Sequence, residues 1–429
     1  MLSWDKTPAL ARMRCARAWV EIDLAALADN VKALKDLLPK ETDLMSVVKA
    51  DAYGHGAVTV AQVAIASGAT WLGVATVPEG IELREAGIRV PILVMGAVND
   101  PVEVSAIARW NLQPTIVNPK QALIFSETLA SLSFEDWFTK DQNTQKLSVH
   151  LKLDTGMSRL GFSWQKAVDF ARFVHQLPHL EAISVYSHLA TADSPDPSTM
   201  RLQHTRFEQA ISDLKQANLL PPKLHLANSA ATLADPSLHY DMVRVGLATY
   251  GLYPAPHLKA KANLKPVLSV KARITHIKQI KAGSGVSYSH KFIAKRDMTI
   301  AIVGIGYADG VPRLLSNQLK VAVINEDEAA TAISLVSQLG AITMDQIMLD
   351  VSDVPAAKEG GVVTLLGQAG EQSLGADQWA EMASTISWEI LCGFKHRLPR
   401  ITLPNQLAYH STTISDSDSV LSNSVDVTE

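Results

Sequence analysis

Apolar and polar positions alternate along the first half of the chain in a steady rhythm of short apolar runs and longer amphipathic ones. The apolar runs lie at 44–48, 71–75, 91–95, 113–117, 147–153, 182–187, 223–227 and 242–246. Each has the length of a strand buried on both faces, as in a parallel sheet. Helical periodicity separates most of them, at Ala57–Ala66, Pro78–Ala86, Val102–Trp110, Ser163–Gln176 and Arg201–Ala217. Ahead of them, Ala18–Asp23 alternates like a strand, and Asp23 is placed to cap a helix with Leu24, Leu27, Val31, Leu34 and Leu38 on one face. Eight strands alternating with helices predict a (β/α)8 barrel of the TIM type. No glycine-rich dinucleotide fingerprint follows any of these strands, which argues against an open doubly wound sheet.

After Pro254 the pattern changes to short alternating strands with turn residues between them: Val267–Ile280, Met298–Val303, Leu319–Ile324, Ala332–Val336, Ile347–Val351 and Gly361–Leu366. Ala376–Ile390 reads as a helix, and His396–Leu403 leads back to a strand. The predicted organisation is therefore α/β + β. A leader over 1–17 precedes the barrel at 18–260, and a mainly β domain at 261–408 is followed by a disordered tail at 409–429. The tail is rich in serine and acid and has little to bury. Phe134–Gln145 reads as a surface insertion before the fifth barrel strand.

Composition narrows the function. With 39 basic and 43 acidic residues the formal charge is −4, which leaves no footprint for nucleic acid or an anionic membrane surface. No apolar run approaches the ~18 residues that span a bilayer. The two cysteines, Cys15 and Cys392, stand in no metal-ligand or CxxC spacing, so no metal site is expected and a reducing cytoplasm is the natural compartment.

The polar motifs follow the predicted strands, where a barrel places its chemistry. Ser46–Gly56 (SVVKADAYGHG) delivers Lys49 from an apolar run into a glycine-rich turn. A desolvated lysine loses its proton readily and becomes a nucleophile able to form an imine with an aldehyde such as pyridoxal phosphate. The bland alternative is a strand-end lysine whose stem is buried and whose head reaches water. Four residues on, Tyr53 offers a hydroxyl to such a cofactor's phosphate. His150–Gly161 (HLKLDTGMSRLG) sets Lys152 and Asp154 on one face of a strand; a buried ion pair is the structural alternative there. His188 ends the sixth strand, and Ser229 with the free N–H groups around it forms an anion site.

Several of these stretches, in order, resemble those of alanine racemases. The resemblance begins with the cofactor-lysine motif, where Asp51 replaces the usual Asn, and runs from about Ala18 to Leu403. It implies pyridoxal phosphate as cofactor, with Lys49, Tyr53, Arg159, His188, Asn228, Ser229, Arg244, Gly246 and Leu247 in contact with it. Arg159 would meet the phenolic oxygen and His188 the face of the pyridine ring. Ser229, Gly246 and Leu247 would meet the phosphate, and Arg244 the pyridine nitrogen. Lys152 corresponds to a lysine that is carbamylated in some members and braces the arginine.

In the β domain, Gly285-Val-Ser-Tyr288 is similar to the family's second catalytic motif, with Ser289 in place of a Gly. The resemblance makes Lys49 and Tyr288 the two catalytic bases on opposite faces of the substrate. It brings Tyr288 from the partner of a homodimer and gives substrate contacts to Arg159 and the Met344 backbone. Gly306–Gly310, with Arg313, resembles the substrate passage. The implied reaction interconverts L- and D-alanine for peptidoglycan. Trp388 stands where the family has a tyrosine at the phosphate, so a broader alanine/serine racemase is the alternative activity. A non-catalytic pyridoxal-phosphate carrier on the same barrel is a further alternative, against which the β domain and its tyrosine motif speak.

Overall fold

Eight parallel strands are laid down by the eight apolar runs. The computed structural model describes residues 16–132, 146–325 and 332–403. In it β1 is Ala18–Asp23, β2 Asp43–Val47, β3 Trp71–Val74, β4 Ile92–Ala97, β5 Gln113–Ile116 and β6 Leu147–Asp154. The short β7 at Phe162–Ser163 precedes β8 at Leu180–Tyr186, β9 at Lys223–His225 and β10 at Met242–Val245. The barrel order is β10-β2-β3-β4-β5-β6-β8-β9, with β7 paired to β6. Backbone bonds close the ring between its ends: Asp241 N–H donates to Leu224 O at 3.1 Å and Arg244 N–H to Ala227 O at 3.0 Å. Met45, Trp71, Leu93, Tyr186 and Met242, from five different strands, meet in one buried cluster, which only the interior of a barrel allows.

The helices that cover the barrel begin where the sequence stops them from beginning earlier. Helix α1 (Leu24–Asp36) starts at Asp23, whose carboxylate accepts from Ala26 N–H at 2.9 Å. Helices α2 (Ala57–Ala66), α3 (Val77–Glu85), α4 (Pro101–Arg109) and α5 (Pro119–Ser131) follow their strands closely. The last three each carry proline in the first two positions, where its missing N–H costs nothing. Helix α6 occupies Ala167–His175 after a 3-10 turn at Trp164–Lys166, shorter than the predicted Ser163–Gln176. Helices α7 (Ser198–Gln216) and α8 (Ser229–Ala234) complete the layer.

The second half is a sheet of long reach. It contains β11 (Leu268–Ile280), β14 (Met298–Val303), β15 (Lys320–Asn325), β16 (Ala332–Leu339), β17 (Ile347–Asp350), β18 (Val362–Ala369), β19 (Gln372–Leu374) and β20 (Arg400–Leu403). The small β12 (Gly285–Val286) and β13 (Phe292–Ile293) pair with one another. β1, although first in sequence, joins this sheet rather than the barrel, antiparallel to β11 and parallel to β20.

The helix predicted over Ala376–Ile390 is two helices, α9 (Ala376–Met382) and α10 (Ser387–Gly393). Ser384 adopts φ +54° between them, and Thr385 N–H returns to Ala380 O at 2.8 Å as a C-terminal cap. The break turns α10 onto the barrel mouth. Most of the predicted leader, the insertion at Phe134–Gln145 and the tail at 409–429 lie outside the described residues.

Candidate active site

Lys49 stands two residues past β2, and the backbone after it is unusual. Ala50, Asp51, Ala52 and Tyr53 all have φ of +52° to +54°, forming a left-handed turn. Each L-residue held there costs roughly 1–2 kcal/mol, so the turn needs fastening. Ala52 N–H donates to Val48 O at 2.8 Å, and Gly56 N–H to Asp51 O at 3.0 Å. The Asp51 carboxylate accepts from Ala57 N–H at 2.8 Å, and Arg400 of β20 donates to Gly54 O at 3.1 Å. The second domain thus clamps the turn that presents the lysine.

Lys49 opens into a cavity of about 690 Å³ at the C-terminal mouth of the barrel. Lys152, Arg159, His188 and Arg244 line it as well, and Ile386, Trp388 and Cys392 of the second domain form part of its wall. Burial first, and then the Arg159 guanidinium, hold the Lys49 amine below the ordinary lysine range. For Lys152, burial and then Arg244, Arg159 and Lys49 push the value down to about 7. Its Nζ lies 5.1 Å from the centre of the Tyr186 ring. Asp154 folds back to accept from Gly156 N–H at 2.9 Å and Ser158 N–H at 3.0 Å. The strand-five ion pair between Lys152 and Asp154 is not formed among the described residues.

Arg244 is buried, with both Nη groups held by protein acceptors. It donates to the carbonyl oxygens of Ser187 at 2.8 Å, His225 at 3.1 Å and Leu226 at 3.1 Å. It also donates to His225 Nδ1 at 3.1 Å and His188 Nδ1 at 3.3 Å. Burial lowers it to about 10, so it stays a cation at neutral pH. A guanidinium only donates, and that fixes the direction of a relay beneath it. His225 Nδ1 accepts from Arg244, so its Nε2–H donates to Ser184 Oγ at 2.9 Å. The Ser184 hydroxyl then donates to His150 Nδ1 at 2.6 Å, and His150 Nε2–H donates to Gln113 Oε1 at 2.9 Å. Burial keeps His150 near 3 and, with Arg244 beside it, His188 near 2. Both rings are therefore neutral across the physiological range. Sequence reading passed over Gln113, His150 and Ser184, although polar side chains at inward positions of apolar strands are the signal that marks them.

A small polar corner sits beside these cations. Ser229 Oγ accepts from Gly246 N–H at 3.0 Å, and Asn228 caps α8 by accepting from Ala231 N–H at 3.0 Å. Tyr53, Asn228, Ser229, Gly246 and Leu247 all line the cavity there. A Cβ on Gly246 would stand 2.5 Å from the Tyr53 hydroxyl, so the missing side chain makes room for it. Tyr288 and Met344 are elsewhere. They are 68% and 53% exposed and do not line the cavity of their own chain.

The barrel, the appended β domain and a lysine-bearing cavity lined with cations define an enzyme with two domains around one site. Residues 22–254 match the family description "Alanine racemase, N-terminal domain" and residues 267–402 "Alanine racemase, C-terminal domain". The alanine racemase of Nostoc sp. is 61% identical over 90% of this chain and 95% of its own length. That of Synechocystis sp. is 56% identical over 90% and 99%. The crystal structure of alanine racemase from Streptomyces lavendulae superposes with a TM-score of 0.82 at 33% identity, covering 92% of this chain and 99% of that one. The Bacillus anthracis alanine racemase with bound L-Ala-P gives 0.80 at 34% identity, over 91% and 95%. The chain belongs to the alanine racemase family, and it is a pyridoxal-phosphate-dependent isomerase. The residues present fit that cofactor: a desolvated amine for its aldehyde, a hydroxyl-lined corner for its phosphate and a caged guanidinium for its ring.

Proposed function

We propose that this protein interconverts L- and D-alanine with Lys49 and Tyr288 as the two bases, and that it works as a homodimer. When bound, pyridoxal phosphate supplies an electron-withdrawing ring that acidifies the Cα–H of an amino acid attached to it. Lys49 holds the cofactor and then exchanges the Cα proton on its own face, a task suited to an amine whose proton is loosely held. Tyr53, Asn228, Ser229, Gly246 and Leu247 hold the phosphate. His188 would lie against the ring, and Arg159, with the Met344 N–H of a second copy, would meet the remaining oxygens. Arg244 would donate a hydrogen bond to the pyridine nitrogen but, as a guanidinium, would give it no proton. A ring left without that proton would withdraw electrons from Cα less strongly, which disfavours transamination.

One observation carries the dimer: the cavity of a single chain holds one of the two bases. Inversion needs a proton removed from one face and delivered to the other, and Lys49 serves only the face it occupies. Tyr288, Ile293, Tyr307, Leu314 and Met344 are large side chains that stand exposed on the second domain, which suits burial against a second copy. The free thiol of Cys392 fits a reducing cytoplasm, where D-alanine enters peptidoglycan synthesis.

Two measurements test this. Purified holoenzyme given a panel of L-amino acids should racemise alanine far faster than serine; equal rates would remove the alanine preference. Lys49→Ala and Tyr288→Phe should each lower racemisation by ~10²–10⁴-fold or more. In a heterodimer of the two, one site carries both lesions and the other neither, so activity returns. Confirmed subunit exchange with no recovery would place both bases in one chain.

A further inference from the structure

Glu79 belongs to helix α3, where as the third residue it closes a capping box with Thr76. That role occupies only half of its carboxylate. Oε2 accepts from Thr76 N–H at 3.1 Å and from Ala75 N–H at 2.7 Å. Oε1 reaches out of the helix altogether and accepts from Ala50 N–H at 2.8 Å. Ala50 is the residue after Lys49 and the first of the four with positive φ. The capping residue of one βα unit thus fastens the start of the left-handed turn in the unit before it.

We propose that Glu79 is a positioning residue for Lys49: its carboxylate pins the backbone at which the lysine leaves β2 and sets a negative charge beside the amine. This rests on Lys49 being the cofactor lysine. The far end of the turn is held by Asp51 to Ala57 and by Arg400 to Gly54, so Glu79 supplies the side-chain anchor nearest the nucleophile. Its charge matters because cations outnumber carboxylates around the cavity. Lys49 shares it with Lys152, Arg159 and Arg244, with one carboxylate, Asp193, with the neutral His188, and with the un-ionised Tyr53, Tyr186 and Cys392; of the carboxylates only Glu79 acts on the Lys49 amine. Arg159 makes the amine easier to deprotonate, whereas Glu79 makes it harder. Without Glu79 the lysine would lose its proton more readily and would also be less well aimed. The enzyme therefore trades some neutral amine for a fixed direction of attack.

Full-length apoprotein, stripped with hydroxylamine, provides the test. The rate of pyridoxal phosphate uptake is followed by visible absorbance across pH, and borohydride reduction with peptide mapping locates the attachment. Glu79→Gln keeps the shape of the side chain and removes the charge; Glu79→Asp keeps the charge and shortens the reach. In Glu79→Gln the midpoint of the rate profile should move to lower pH. The neutral fraction below it should rise roughly two- to fivefold, the size of a screened charge pair, while the plateau rate falls. Glu79→Asp should keep the wild-type midpoint with a lower plateau. A purely structural anchor predicts the reverse for Glu79→Gln, since a loosened turn exposes Lys49 and raises the midpoint. An unchanged or raised midpoint in Glu79→Gln overturns the proposal, whatever the plateau does. Attachment at another lysine in the wild-type protein would instead refute the assignment of Lys49.

Discussion

Replacing Gly246 by alanine adds one methyl group at the point where the barrel's last strand meets the tyrosine of its first loop. The new Cβ would lie 2.5 Å from the Tyr53 hydroxyl and 3.2 Å from its Cζ. Tyr53 has no room to retreat, because its ring is backed by Tyr250 at 4.9 Å between centroids. Tyr250 is itself fixed by a 2.8 Å bond to Val47 O. The hydroxyl must swing out of the phosphate corner. Overpacking of this kind costs about 1–3 kcal/mol of fold stability. Losing a hydrogen bond to a charged group costs about 1.5–3 kcal/mol of cofactor affinity, or roughly 10- to 150-fold in Kd. Equilibrium titration of full-length apoprotein with pyridoxal phosphate measures the second quantity, and denaturant unfolding without cofactor the first. Tyr53→Phe removes the atom that clashes, so the double variant should bind no worse than Tyr53→Phe alone. The reasoning fails if Gly246→Ala keeps wild-type affinity, or if the two losses simply add.

Lys49→Ala should remove the cofactor's visible absorbance band, and borohydride should fix no cofactor to the variant; covalent fixation elsewhere would displace Lys49. Lys152 is held near 7 by burial and then by Arg244, so its neutral form grows as pH rises through that value. Because the neutral amine is what adds carbon dioxide, a carbamate signal from ¹³C-bicarbonate should grow over the same interval and vanish in Lys152→Arg. Ser184→Ala strands a donor on His225 and an acceptor on His150, both buried. Unfolding free energy should fall by about 1–3 kcal/mol for each, and an unchanged denaturant midpoint would show that the relay contributes nothing to stability.

The barrel was legible because its strands are largely buried on both faces, so most of their positions are apolar and the runs stand out. Strand ends were less legible: the run at 223–227 yields a strand only to His225, since Asn228 leaves the ladder to cap α8. The left-handed turn was not legible at all. Ala50, Asp51, Ala52 and Tyr53 carry no residue that demands positive φ, and the turn is held because Glu79 accepts from Ala50 N–H, Arg400 donates to Gly54 O and Asp51 reaches on to Ala57 N–H. The break after Met382 was missed for a related reason: Ser384 is no helix breaker by propensity, and its conformation is set by the cap that closes over it. The Gln113–His150–Ser184–His225 relay depends on the register of adjacent strands. His150 pairs with Thr115 and Ser184, and one-dimensional spacing does not contain that.

Charge shows the same division between what a sequence displays and what a fold creates. A chain with a formal charge of −4 gathers Lys49, Lys152, Arg159 and Arg244 around one cavity. Each cation makes its neighbours' protons harder to keep. Burial first, and then the arginines, lower both Lys49 and Lys152. Burial holds three further groups in or under the cavity neutral, His150, His188 and His225, and Arg244 and Lys152 add to it for His188 and His225. The arrangement is unfavourable for the protein alone and becomes favourable when anions arrive. A phosphate, a phenolate oxygen and a substrate carboxylate supply the missing charge, and attraction in a desolvated site is far stronger than in water. The cationic cavity therefore selects a ligand that carries several negative groups. Arg244 is pinned by five bonds and does not follow the ligand. Lys49, by contrast, has no hydrogen bond to hold its amine among the described residues and carries a loosely held proton, which suits the cofactor-lysine role proposed for it.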